Sequence, residues 1–203
     1  MDKTDSRSKL LEVGTQMFAD RGLNGVSVRE ISLAAETSIS MISYHFGSKE
    51  GLYSAVLQQQ FACFEEIHEI RRQVCDPVSM VGSYLRWSFQ RHRKNPYLLR
   101  FYTSELTNPT VFFESIVMPV VDEVILTMAA VIEEGIRLKQ FREDVHATNA
   151  ALALAGMVNY FFLSTRATEN LISHSPEQDE MVIGQYLAIF TGGVVARVGQ
   201  AVG

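Results

Sequence analysis

The sequence is poor in the features that staple a chain covalently or anchor it in lipid. Only two of its 203 residues are cysteine, Cys63 and Cys75, which excludes a disulfide-built miniprotein. The greasiest run, Ala150 to Leu163, is fourteen residues long and includes Asn159, short of the roughly twenty that a spanning helix needs. The start, Met1-Asp2-Lys3-Thr4-Asp5, lacks an apolar signal core, so no secretory or membrane route is expected. Reduced thiols in the cytoplasm are the simplest expectation. Neither charge sign dominates: 18 Lys and Arg face 23 Asp and Glu, a net charge of −5, which taken alone disfavours a nucleic-acid partner. No nucleophile elbow, phosphate-binding glycine loop or zinc-spaced cysteine set occurs, so no cofactor, metal or catalytic residue is assigned. Repeats, low-complexity tracts and alternating β-branched runs are missing too.

What is present is apolar material in helical spacing. At 47% apolar and 20% charged, the chain has enough for a sizeable core and too much for disorder. The spacing predicts an all-α fold: an N-terminal three-helix domain over 1–50 and a larger helical bundle over 51–203. The first helix, about 5–20, buries Leu10, Val13, Gly14, Met17 and Phe18 and stops at Gly22. Ser27-Val28-Arg29-Glu30 reads as a capping box that opens a short helix to Ala35. A tight turn at Glu36-Thr37 leads to Ser38, an N-cap candidate, and a third helix to about Phe46 with Ile42 and Phe46 inward. Ser48 is a cap candidate for a long fourth helix to about Val74. Short helices two and three with a four-residue turn between them form a helix-turn-helix.

The residue types sharpen that reading. From Ser8 to Leu57 the chain resembles the tetracycline-repressor (TetR) family of bacterial transcriptional regulators. The resemblance is carried by Phe18-Ala19-Asp20-Arg21-Gly22, Ser27-Val28-Arg29-Glu30-Ile31, and Tyr44-His45-Phe46-Gly47-Ser48-Lys49-Glu50-Gly51-Leu52-Tyr53. It covers about a quarter of the chain and implies double-stranded operator DNA as the partner. It also implies backbone contacts at Ser27, Tyr44, His45 and Lys49. Independently, a third helix in the major groove brings Ser38, Ile39, Ser40, Met41 and Ser43 toward base edges, the serines by hydrogen bonds and Ile39 and Met41 against thymine methyls. Other roles stand beside these: Ser27, Ser38 and Ser48 serve equally as caps, His45 as a packed histidine, and Ile39 as part of a core stripe with Ile42 and Phe46. Family members usually carry glycine where Glu36 stands, because the turn asks for a left-handed residue; a side chain there costs roughly 1–2 kcal/mol. Ser43 replaces a common aromatic, and Ile39 a common polar residue.

Helices are expected near 48–74, 77–94, 96–107, 110–140 (kinked at Pro119), 146–166 and 178–199. The 146–166 helix is apolar nearly all round, which requires cover on several sides. Tyr186, Ile189, Phe190, Gly193, Val194 and Arg197 form one stripe on the last helix. Together with Tyr160 they are the expected homodimer interface, and a dimer suits two DNA half-sites. An apolar pocket between helices is the usual small-molecule site; its candidate polar lining is Trp87, Arg91, Arg100, Tyr102, Glu105 and Asn159. The function implied is a ligand-responsive regulator, a repressor by resemblance. Two alternatives exist: a di-iron carboxylate enzyme using Glu65-His68 and Glu143-His146, and a helical interaction module that binds no DNA. Residues 1–50 hold six Lys and Arg against seven Asp and Glu, so positive potential must come from helix N-termini, Lys49, Arg29, Lys3, Arg7 and Lys9.

Overall fold

The computed structural model describes residues 3–62 and 64–195. In chain order the helices are α1 (Lys3–Arg21), α2 (Val28–Ala34), α3 (Ile39–Phe46), α4 (Lys49–Phe61), α5 (Phe64–Gln73), α6 (Pro77–Lys94), α7 (Leu98–Thr107), α8 (Met118–Arg137), α9 (Ala147–Leu163), α10 (Thr165–Thr168) and α11 (Asp179–Val194). A π-helical turn, Phe113–Val117, leads into α8, and a 3-10 turn, Pro176–Gln178, leads into α11. Among the described residues the only extended pairing is one antiparallel bridge between Phe141 and Val195. The all-α expectation is borne out.

The chain divides into two compact units, Met1–Ala62 with Asn95–Pro119, and Cys63–Lys94 with Val120–Gly203. This differs from a cut at residue 50, because α4 and α7 share a core with the three N-terminal helices. The expected helix over 48–74 is two helices: Ala62 ends α4 in an extended conformation, φ −68° and ψ 102°.

In the first unit, Leu10, Phe18, Ile31, Ile42, Leu52, Tyr53, Val56, Leu57 and Phe101 are buried. Fully burying each large apolar side chain stabilises by about 1.5–3 kcal/mol. Tyr53 is the hub: its ring meets Phe18 edge-on at 5.1 Å and lies 6.1 and 6.2 Å from Phe101 and Phe112. Gly51, in the first turn of α4, permits a close approach to α3, since a Cβ there would sit 1.9 Å from the Phe46 carbonyl oxygen.

In the second unit α11 and α9 pack on α6, and Phe89 stands 5.2 Å from Phe161 and 5.1 Å from Phe162. Gly135 makes room for Phe141, whose ring would lie 2.2 Å from any added Cβ. Pro119 is the second residue of α8, just past the π-helical turn Phe113–Val117, so it lies where the helix changes from π to α hydrogen bonding. The unbroken helical stretch Phe113–Arg137 spans 25 residues, with a mean hydropathy of 2.0 in its most apolar window. It exceeds Ala150–Leu163 in length, correcting the expectation that no run is long enough to span. Much of it is core, with Val120, Met128, Ala129, Val131 and Ile132 buried.

Candidate nucleic-acid interface

The geometry of α2 and α3 follows from their ends. Ser27 caps α2: its Oγ accepts from the Glu30 N–H at 3.3 Å, while Glu30 accepts from the Ser27 N–H at 2.8 Å and from its hydroxyl at 2.6 Å. Arg21 donates to the same carboxylate at 2.7 Å. The Ser27 hydroxyl, followed by Arg21, holds the Glu30 carboxyl down at about 2. At the other end, Glu36 takes φ 52°. Thr37 N–H donates to Ser32 C=O at 2.9 Å and Glu36 N–H to Leu33 C=O at 3.1 Å. This is a Schellman stop with glutamate in the left-handed slot, as the comparison with glycine anticipates.

Helix α3 then presents Ser38, Ile39, Ser40, Ser43 and Tyr44 to solvent, with Met41 half-buried and Ile42 buried. Ile39 is 45% exposed, so it does not join the core stripe with Ile42. Ser38 makes no capping bond; its hydroxyl pairs with that of Ser40 at 2.7 Å. Tyr44 is exposed and meets His45 edge-on at 4.9 Å. His45 is half-buried, with Nε2 3.0 Å from the hydroxyl of Ser6 on α1, which matches the packed-histidine alternative. Ser48 does cap α4, accepting from Gly51 N–H at 3.1 Å.

The cations of this unit are largely engaged within it. The Lys49 ammonium donates to the carbonyls of Leu23 and Val26 at 2.9 and 3.0 Å, closing the α1–α2 loop onto α4 and leaving one N–H. Lys9 pairs with Asp5, Arg21 with Glu30, and Arg100 with Asp20; Arg7 lies over the Phe46 ring at 5.4 Å. Arg29 is exposed with no ion pair among the described residues. Sequence reasoning missed the internal use of Lys49, because its acceptors are backbone carbonyls 23 and 26 residues away and carry no side-chain signal.

The six candidate effector residues are shared between the two units. Arg100, Tyr102 and Glu105 belong to the first unit; Trp87, Arg91 and Asn159 belong to the second. Glu105 is completely buried and accepts from Tyr53 OH at 2.6 Å, Thr110 N–H at 3.1 Å and Thr110 Oγ1 at 3.0 Å, so its carboxylate braces α7. Trp87 donates from Nε1 to Glu66 at 2.9 Å, and Arg91 lies 5.9 Å from the Trp87 ring.

The proposed dimer stripe is split between the two sides of α11. Phe190 and Val194 are buried, and Tyr186 packs 6.3 Å from both Phe89 and Phe161. Of that stripe Ile189 and Gly193 are exposed, and Arg197 lies outside the described residues. The outward face of α11 runs one step around: Met181, Gly184, Gln185, Ala188, Ile189 and Gly192. On α9 the exposed face includes Leu152, Ala153, Gly156, Tyr160 and Leu163.

Among the described residues the di-iron constellation does not assemble. Glu143 is on a connector, and His146 caps α9, its Nδ1 accepting from Asn149 N–H at 3.3 Å. His68 pairs with Glu123 at 2.7 Å, and the Glu65 side chain lies outside the described residues.

Helices α1 to α3, with a hydrogen-bonded turn and an exposed third helix, define a helix-turn-helix protein. The chain matches "Bacterial regulatory proteins, tetR family" over residues 10–56 and "Tetracyclin repressor-like, C-terminal domain" over residues 77–186. It belongs to the tetR family and is a DNA-binding transcriptional regulator. Among curated relatives, the transcriptional repressor NicS of Pseudomonas putida is 25% identical over 166 residues, covering 80% of this chain and 78% of NicS. DhaR, a transcriptional repressor of Mycobacterium sp., is 42% identical over 62 residues, or 30% of this chain and 31% of DhaR. Among solved structures, the ketosteroid transcriptional regulator KstR2 of Mycobacterium tuberculosis shares the fold, with a TM-score of 0.77 at 23% identity over 94% of this chain and 95% of that one.

Proposed function

We propose that the protein is a homodimeric, cytoplasmic repressor that leaves its operator when a small molecule binds its C-terminal helices. The observation that carries the DNA half of this reading is the outward face of α3, fixed between a left-handed stop at Glu36 and the Gly51 approach. Dimerisation is supported by the exposed apolar faces of α9 and α11. Tyr160 and Ile189 are 67% and 65% exposed, and Gly156, Gly184 and Gly192 have open space where a Cβ would stand. Large exposed apolar surface of this kind marks an interaction site, and small residues let helices approach closely. A two-fold pair presents two recognition helices to two half-sites. Release follows if the ligand binds better to the dimer whose recognition helices are wrongly spaced for those half-sites.

The decisive experiment selects genomic DNA bound by the purified full-length protein and repeats the selection with candidate effectors. A defined site whose occupancy falls with one compound supports the whole reading. Binding no DNA in any condition returns the chain to a helical interaction module. Sedimentation tests the dimer: Tyr160→Glu and Ile189→Glu are expected to convert it to a monomer.

A further inference from the structure

We propose that α3 reads its half-site through thymine 5-methyl groups packed against Ile39 and Met41, and not through bidentate hydrogen bonds to guanine or adenine. The inference rests on the DNA-binding reading above and adds the class of base that is read. Major-groove guanine is normally recognised by Arg or Lys across O6 and N7, adenine by Asn or Gln across N6 and N7, and cytosine by a carboxylate on its amino group. The solvent side of α3 has none of these. Its side chains are Ser38, Ile39, Ser40, Met41, Ser43 and Tyr44. The one cationic candidate on the helix, His45, turns its Nε2 to Ser6.

Among the described residues, the cations on neighbouring elements are engaged within the unit or sit off α3. Lys49 is held on the Leu23 and Val26 carbonyls, Arg21 on Glu30, and Arg7 over the Phe46 ring. Arg29, the exposed guanidinium, is on α2. The Ser38 and Ser40 hydroxyls face each other at 2.7 Å, so one of their two protons is already donated. Ile39 at the first position of α3 is the largest exposed aliphatic group on the helix. A helix docked by its N-terminal end brings that group to the groove floor. A G·C pair beneath it would leave guanine O6 and N7, or the cytosine amino group, desolvated against hydrocarbon. A thymine methyl there gains apolar burial instead.

The test uses duplexes recovered from a random-sequence pool by the full-length protein. Each thymine of a recovered half-site is replaced in turn by deoxyuridine, which differs only in lacking the 5-methyl group. At one or two positions binding should weaken about fourfold, the factor equivalent to one buried methyl. Ile39→Ala should remove that thymine–uracil difference at its own position while other positions keep theirs. Replacing the T·A pair there by C·G should weaken binding, and 5-methylcytosine in place of that cytosine should recover part of the loss. Deoxyuridine that is neutral everywhere, with specific binding intact, overturns the inference and leaves the regulator reading standing. So does discrimination that survives both Ile39→Ala and Met41→Ala. Recovery of no specific duplex overturns both.

Discussion

The Tyr53 hydroxyl donates to the Glu105 carboxylate across 2.6 Å, between α4 and α7, with both side chains buried. Burial and the adjoining carboxylate push the tyrosine's pKa far above its ordinary value. The phenol therefore stays a donor throughout the accessible pH range. Tyr53→Phe keeps the ring packing on Phe18 but leaves Glu105 with only the Thr110 donors. It should destabilise the protein by about 1–3 kcal/mol, the usual consequence of depriving a buried charged acceptor of a partner. Urea denaturation of Tyr53→Phe, Glu105→Gln and the double variant tests this. A coupling of at least about 0.5 kcal/mol is expected, and strict additivity would show that the bond contributes nothing.

Lys49 and Arg29 should separate by their readouts. Lys49→Ala leaves the Leu23 and Val26 carbonyls without their donor, so it should lower stability by about 1–3 kcal/mol and weaken DNA binding along with it. Arg29→Ala removes no ion pair among the described residues. Its expected effect is unchanged melting and a dependence of log affinity on log salt that is shallower by about 1 per site contacted. Titrations at several salt concentrations beside thermal melts decide both.

Glu36 occupies the left-handed slot between α2 and α3 at φ 52°. Glycine there removes a strain of about 1–2 kcal/mol and gives back part of it through greater unfolded-state freedom. Glu36→Gly should therefore stabilise by about 0.5–1 kcal/mol and raise Tm by about 1–4 °C. Calorimetry showing no gain would place the turn's strain elsewhere.

Two groups give opposite ends of the acid response. The Glu30 carboxyl lies at about 2 against an ordinary 4.5, so its contribution is complete above 4.5 and vanishes as pH falls toward 2. In the second unit, burial holds His92 below its ordinary 6.5, with its ring stacked on Phe162 at 4.8 Å. Its neutral form is the folded one, so stability declines as pH falls below 6.5. Melting curves of Glu30→Gln should be flatter than wild type between pH 4.5 and 2. Those of His92→Leu should be flatter just below 6.5.

The elements readable in the sequence were those fixed by neighbours in the chain. The capping box at Ser27 and Glu30, the left-handed demand at Glu36 and the alternation of Ile42 with exposed serines all act within one or two turns. They held. What escaped was set by partners far along the chain. Ala62 breaks a continuous apolar period that predicts one helix to Val74. Glu105 reads as a pocket carboxylate until Tyr53, 52 residues away, is seen to occupy it. On α11 the expected stripe holds both Ile189 and Phe190. Only packing on α6 decides that Phe190 and Val194 face inward while Met181 and Ile189 face out.

The engaged cations of the first unit also bear on how the regulator finds its site. Contacts to phosphate that ignore sequence are what let a protein slide along a chromosome, and their strength rises with each free Lys or Arg. With Lys9, Arg21 and Arg100 held in ion pairs and Lys49 on backbone carbonyls, few such contacts are on offer. The protein should then search by repeated dissociation and re-encounter. Non-specific affinity for bulk DNA should accordingly be modest.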